Sequence, residues 1–190
     1  MGTAVLREGE YRRVPWKNGG GTTREVTARA ADGGGFEWRV SVADVASEGP
    51  FSAFPGVDRV ITLVDGDGMV LTVDGAEQRL ERLQPFAFSG DAATDCCLPG
   101  GAVRVMNLMT RRCSATGRVR ITEVAGSLAL ACADDETLLV LPVGGGIALE
   151  GPDGAAVPLG RLDCVRHEGA GGVRLDGHGT IAEIRVVPAP

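Results

Sequence analysis

Hydrophobic and polar residues alternate along most of this chain with a period of two. Phe36, Trp38, Val40 and Val42 interleave with Glu37, Arg39, Ser41 and Ala43, the mark of a strand whose two faces meet different surroundings. Arg59–Val64, Gly68–Val73, Val103–Met109, Arg118–Val124, Ser127–Cys132, Thr137–Val143, Gly146–Glu150 and Thr180–Val187 are likewise rich in Val, Ile, Leu and Thr and read as strands. Asp65-Gly66-Asp67-Gly68, Asp74-Gly75, Gly100-Gly101, Gly144-Gly145-Gly146 and Asp153-Gly154 punctuate them as turns. No window carries an amphipathic helix longer than two turns, so the pattern predicts an all-β sandwich or barrel. Alternation alone leaves one choice open: Trp38, Val40 and Val42 fill the barrel, or Arg39 and Ser41 line it.

The pattern also repeats. At an offset of 78, Leu63, Gly66, Gly68 and Leu71 fall on Leu141, Gly144, Gly146 and Leu149. After one inserted residue, Asp74-Gly75-Ala76, Leu80, Arg82-Leu83 and Gly90 fall on Asp153-Gly154-Ala155, Leu159, Arg161-Leu162 and Gly169. Two β-barrel lobes descended from one unit explain this. With no Pro/Ser-rich linker near Arg111–Arg118, the expected division is a first lobe over residues 1–112 and a mainly structural second lobe over 113–190.

Composition narrows the function. The 190 residues are 44% hydrophobic and carry a net charge of −6, with a pI near 5.0. Neither nucleic acid nor an anionic membrane suits such a surface. The opening MGTAVLREGEYRR has no apolar run long enough for a leader, and no stretch approaches the roughly 20 apolar residues of a membrane span, so a cytoplasmic protein is expected. The odd set of Cys96, Cys97, Cys113, Cys132 and Cys164 contains no C-x-x-C spacing and fits reduced thiols. His167 and His178 are the only histidines. They form no ligand motif, so neither a metal centre nor a cofactor is expected, and a Ser–His or Cys–His nucleophile lacks its base.

Candidate chemistry concentrates in the first lobe. Pro15-Trp16-Lys17-Asn18-Gly19-Gly20-Gly21-Thr22-Thr23-Arg24-Glu25 sets cations, an amide and hydroxyls around three glycines. Consecutive glycines serve positive φ or a close approach to the backbone, by a ligand or by a crowded turn. A phosphate-binding P-loop is a poor match, lacking the Gly-Lys-Ser/Thr ending. Gly49-Pro50-Phe51-Ser52-Ala53-Phe54-Pro55-Gly56-Val57-Asp58-Arg59 reads as a stiffened loop whose aromatics wall a cavity. With Arg39, Ser41, Arg59, Asn107, Arg111 and Arg112 nearby in this half, the set suits a small anion, because guanidinium forks bind carboxylates and neutral donors fix orientation.

The strings PWKNGGGTTREV, FEWRVSVADV, GPFSAFPGVDR, PFAFSGD and NLMTRR, in this order between Pro15 and Arg112, resemble the HutD/Ves family. The resemblance implies a double cupin, two jelly-roll-like β-barrels of RmlC-like type in one chain. It also implies a link to bacterial histidine utilisation and a metal-free pocket for a small anionic metabolite such as formylglutamate, formiminoglutamate or urocanate. Carried over by position, the ligand-binding set is Trp16, Lys17, Asn18, Gly19, Gly20, Gly21, Thr22, Thr23, Arg24, Trp38, Arg39, Ser41, Phe54, Arg59, Asn107 and Arg112, with no catalytic residue assigned. Met106 stands where the resemblance leads one to expect an acidic residue. Two further readings compete with binding: a metal-independent hydrolase or isomerase of an N-acylated amino acid with Glu25 as base, and a structural module that forms a homodimer through sheet edges.

Overall fold

The computed structural model describes residues 2–16 and 19–190. Among these, sixteen strands follow one another with a single turn of 3-10 helix at Glu8–Glu10. They are β1 (Gly2–Leu6), β2 (Arg12–Pro15), β3 (Gly21–Ala30), β4 (Phe36–Val45), β5 (Gly49–Pro50), β6 (Val57–Asp65), β7 (Met69–Val73) and β8 (Ala76–Leu80). Then come β9 (Pro85–Ser89), β10 (Thr94–Cys97), β11 (Val103–Arg111), β12 (Ala115–Cys132), β13 (Thr137–Glu150), β14 (Ala156–Leu159), β15 (Cys164–Glu168) and β16 (Gly171–Pro188). The all-β expectation holds. Among the described residues, no helix is long and apolar enough to cross a membrane.

Two compact units share the chain: residues 12–116, and residues 2–11 with 117–188. The division expected after Arg112 is therefore displaced, and residues 2–11 change sides. The reason is pairing at a sheet edge. β1 lies antiparallel on β15 in register from Gly2↔Glu168 to Leu6↔Cys164. Arg7 then reaches Asp163 at 2.7 Å, and the Tyr11 hydroxyl donates to the Leu162 carbonyl at 2.7 Å.

The 12–116 unit holds a six-stranded sheet, β2-β3-β4-β11-β6-β9, and a four-stranded one, β5-β10-β7-β8. Ala43, Ile61, Leu63, Met69, Leu71, Leu80 and Val105 form its core. The other unit is a single sheet in the order β1-β15-β13-β16-β12, with β14 on β13. Its core gathers Leu138, Val140, Ile147, Leu149, Val165, Leu175 and Ile181.

The internal repeat is visible in the strand order. β4-β11-β6-β9 in the first unit runs parallel in sequence and pairing to β12-β16-β13-β15 in the second. Leu83 and Leu162, matched by the offset of 79, both adopt positive φ, 62° and 65°. Leucine rarely accepts that conformation. Each leucine N–H donates into the strand before its hairpin, Leu83 to Leu63 O at 2.8 Å and Leu162 to Pro142 O at 2.7 Å. The second unit differs in continuity: the expected pair Thr137–Val143 and Gly146–Glu150 is one strand that passes its glycines with a register shift between Pro142 and Gly144.

Candidate functional site

The site arises from three adjacent strands of the 12–116 unit. Register places Arg39 opposite Met109 and Met109 opposite Arg59; the next rows are Ser41, Asn107 and Ile61, then Ala43, Val105 and Leu63. Directly paired residues of an antiparallel sheet share a face. That face begins in the apolar core at Leu63, Val105 and Ala43 and ends in charge at Arg39 and Arg59. Trp38, Val40 and Val42 are buried on the opposite face, paired with Thr110, Leu108 and Met106. The open choice is thereby resolved: arginine and serine look into the unit, tryptophan does not.

Above this row lies a cavity of about 500 Å³. Its floor is Arg39, Ser41, Ala43, Arg59, Val105, Asn107 and Met109; Val14, Pro15, Trp16 and Thr23 form one wall, and Pro50, Phe51, Ser52 and Phe54 the other. Trp16 donates its indole N–H to Thr23 Oγ1 at 2.8 Å and meets Phe51 edge-on, with ring centroids 6.1 Å apart.

The electrostatics of the floor are unbalanced. Arg59 is only 5% exposed; its Nη2 donates to Asn107 Oδ1 at 3.2 Å, and its Nε is buried without a hydrogen-bond partner. Arg39 donates Nη2 to the weak acceptor Met109 Sδ at 3.1 Å, and its Nε is likewise unpartnered. Neither guanidinium forms an ion pair with a described carboxylate; they rest instead on ring faces. Arg39 lies over Phe36 and Phe54, Arg59 over Phe51, Phe54 and Phe88, at 4.8–5.6 Å from the centroids. Burial, and after it the charge of Arg39, together push the Arg59 guanidinium down to about 10. Burial also lowers Arg39; Glu25 works against that shift, and Arg12 adds to it. Two desolvated cations facing one cavity form a site that a small anion would neutralise.

Of the expected site residues, the structure brings together Trp16, Thr23, Arg39, Ser41, Phe54, Arg59 and Asn107. Arg24 and Trp38 point to the other face, where Arg24 pairs with Asp44 at 2.7 Å and Arg29 stacks on Trp38. Arg112 is consumed outside the cavity by Asp58 and Asp91, each at 2.6 Å. Gly19, Gly20, Gly21 and Thr22 do not line the cavity, and Lys17 and Asn18 lie outside the described residues. The close approach that Gly21 permits comes from the chain itself: a Cβ there would sit 3.1 Å from the Trp16 ring and collide with the Asp44 carbonyl. Gly20 accepts from the amides of Ala46 and Ser47. The glycines thus belong to a crowded turn that seats Trp16.

Sequence reasoning missed Val14, Pro15, Ala43, Val105 and Met109 as lining residues, whereas Pro50, Phe51 and Ser52 belong to the loop it read as a cavity wall. The signal for Ala43, Val105 and Met109 was present: once the inward face is known, they are the next alternate positions after Ser41 and Asn107. Phe51 stood in the aromatic loop beside Phe54. Met106, where an acidic residue was expected, is fully buried on the face away from the cavity, so a carboxylate there would not reach this floor.

The loop wall is clamped from behind. Phe54 N–H donates to Gly90 O and Gly90 N–H to Val57 O, both at 2.7 Å. A Cβ on Gly90 would run into the carbonyls of Phe54 and Val57. Asp91 accepts from Gly56 N–H at 2.9 Å and from Arg112.

Comparison with known proteins agrees with this architecture. The HutD family model matches residues 8–183. A Pseudomonas putida protein described as an uncharacterized 21.2 kDa protein in the hutC 3′ region is 40% identical over 167 residues, 87% of this chain and 86% of that protein. Protein Ves of Citrobacter koseri is 40% identical over 119 residues, 60% of this chain and 62% of its own length. The structure of HutD from Pseudomonas fluorescens SBW25, solved under a formate condition, covers all of both chains at 36% identity with a TM-score of 0.86. At 8% identity, the nickel(II) complex of the bacterial pirin YhhW from Escherichia coli still covers 99% of this chain and 100% of its own, with a TM-score of 0.71, and shows the cupin-like fold alone. Among the described residues of this chain, no group of three or more His, Cys, Asp or Glu side chains is placed to hold a metal ion. The match from residue 8 to 183 and the full-length likeness to HutD of P. fluorescens make the conclusion direct: this chain belongs to the HutD family.

Proposed function

We propose that this protein binds a small carboxylate of histidine catabolism in the 12–116 unit and thereby modulates histidine utilisation. One observation carries the reading: Arg39 and Arg59 turn into a single aromatic-walled cavity and form no ion pair with any described carboxylate. Asn107 and Ser41 on the same floor supply the neutral donors and acceptors that fix a ligand's orientation. The hutC-region relative and the HutD family membership support the pathway. Formylglutamate and formiminoglutamate, with two carboxylates, match both guanidiniums; urocanate, with one, matches them less well.

Glu25 does not line the cavity. It faces Arg12 at 3.6 Å, so the geometry does not favour it as a general base. The test is a thermal-shift and calorimetric panel of the three acids. A true ligand at 100 times its dissociation constant should stabilise the protein by ~2.7 kcal/mol. Glu25→Gln should bind as tightly as the natural protein, and Arg39→Met should not bind. A flat response to all three acids would remove the reading.

A further inference from the structure

The same floor has a second chemical consequence that does not require any carboxylate ligand. We propose that the guanidinium pair of Arg39 and Arg59 is this chain's preferred site of covalent addition by small α-dicarbonyls, molecules with two adjacent carbonyl carbons such as methylglyoxal.

An α-dicarbonyl adds to arginine only when the guanidine is neutral and its nitrogens are reachable. Most arginines with restricted exposure in this protein are held charged by a carboxylate: Arg24 and Arg104 by Asp44 at 2.7 and 2.6 Å, Arg166 by Glu168 at 2.7 Å, Arg185 by Glu136 at 2.6 Å. Arg39 and Arg59 are held by rings, an amide oxygen and a thioether. None of these opposes loss of a proton as a paired carboxylate does; Glu25 favours the charged form of Arg39 without forming an ion pair with it, and nothing comparable acts on Arg59. The two groups also repel each other, so the first to become neutral relieves the second. The cavity of about 500 Å³ is far larger than a three-carbon dicarbonyl, and no described carboxylate lines it. Burial and mutual repulsion act in the same direction on Arg59.

The step balances without an oxidant. The guanidinium releases one proton to solvent. One guanidine nitrogen attacks the aldehyde carbon and a second attacks the adjacent ketone carbon, forming two C–N bonds. Each carbonyl π bond opens to a hydroxyl that takes the N–H proton of its attacking nitrogen. A five-membered dihydroxyimidazolidine results, nothing leaves, and the protein gains the mass of one dicarbonyl.

The experiment treats the full-length protein with less than one equivalent of methylglyoxal at mildly alkaline pH and maps the adduct by peptide mass spectrometry over time. The expected result is a first adduct on Arg39 or Arg59, formed at least ~10-fold faster than on the exposed Arg13, Arg79 and Arg120. The double variant Arg39→Lys/Arg59→Lys, checked for an unchanged melting profile, should lose the fast phase. A first equivalent scattered over the exposed arginines overturns the proposal, and so does a fast phase that survives in the double variant. If that variant does not fold, the wild-type map decides alone. Repeating the reaction in formate reports separately on carboxylate binding. A fast adduct that formate leaves untouched supports the addition and counts against the binding reading. Calorimetric carboxylate binding with a scattered adduct overturns the addition and leaves the binding reading in place.

Discussion

The two units place arginine on the inward face of the same kind of sheet and treat its charge in opposite ways. In the second unit Arg185 shares a face with Leu138, and Glu183 shares one with Val140; both leucine and valine belong to that unit's core. Arg185 pairs with Glu183 and, at 2.6 Å, with Glu136, and it also donates to the Ala131 carbonyl at 2.9 Å. In the first unit Arg39 and Arg59 occupy the corresponding stretch of sheet and have aromatic rings where the second unit has carboxylates. A duplicated fold can thus carry the same residue type as internal structure in one copy and as an unfilled valence in the other. What distinguishes the two is the counter-ion.

The largest effect expected from breaking this contrast is in the structural copy. Arg185→Met leaves Glu183 without its cation and Glu136, like Glu183 7% exposed, with only the exposed Arg118 at 3.9 Å. Removing one member of a buried ion network costs roughly 3–5 kcal/mol. Equilibrium denaturation of the variant should show that loss, with the cavity of the first unit still able to bind its ligand. A loss below about 1 kcal/mol would mean that the network is solvated and that the two units do not differ in the way argued.

The matching change in the other copy should have the opposite sign. Lowering Arg59 from the ordinary arginine value to about 10 corresponds to an environment that works against the charge by on the order of 3 kcal/mol. Contacts with three aromatic rings return roughly 0.5–1 kcal/mol each. Arg59→Met should therefore raise stability by ~1 kcal/mol while abolishing carboxylate binding, the pattern of a site kept for function at a cost to the fold. Destabilisation together with retained binding would show that Arg59 is structural.

Supplying the missing counter-ion sharpens the comparison further. Met109 stands between Arg39 and Arg59 in the sheet. Met109→Glu gives the first unit what the second already has. Stability should change by less than about 1 kcal/mol, because attraction and desolvation nearly cancel. External carboxylates should no longer bind, and a titration calorimeter would show this directly.

Much of this contrast was legible in the sequence, but not its geometry. Period-two alternation located the strand from Phe36 onward, and the offset of 78 to 79 residues exposed the duplication down to the strained Leu83 and Leu162. Alternation carries no sign, however. Trp38 and Arg39 are equally periodic, and only the pairing of β4 with β11 and β6 determines which of them looks inward. Arg24 and Arg112 were indistinguishable by type from Arg39 and Arg59. Their carboxylate partners, Asp44 for one and Asp58 and Asp91 for the other, lie 20 or more residues away, and spacing alone cannot pair residues across strands. β3 was hidden for a different reason: its glycine-rich approach reads as loop, while its Thr-Thr-Arg-Glu-Val continuation is a strand that builds the cavity wall.

The smallest effect concerns the clamp behind Phe54. Asp91 is exposed, yet its carboxyl is held down from 3.8 to about 2. The bond from Gly56 N–H is the largest cause, followed by those from Arg112 and Ser89. A carboxyl whose folded value lies below its unfolded one adds stability above the unfolded value and loses it as pH falls through the folded one. The clamp's contribution is therefore complete above about pH 4 and fades toward pH 2. Asp91→Asn should melt slightly below the natural protein at neutral pH, and the two should converge across that interval. Because Asp91 ties down the loop bearing Phe51 and Phe54, the Gly56 amide should exchange with solvent faster in the variant at neutral pH, whereas amides of β13 should not change. A gap in melting temperature that stays constant from pH 6 to pH 2 would dissociate Asp91 from the clamp and leave the loop positioned by Gly90 and its carbonyl partners alone.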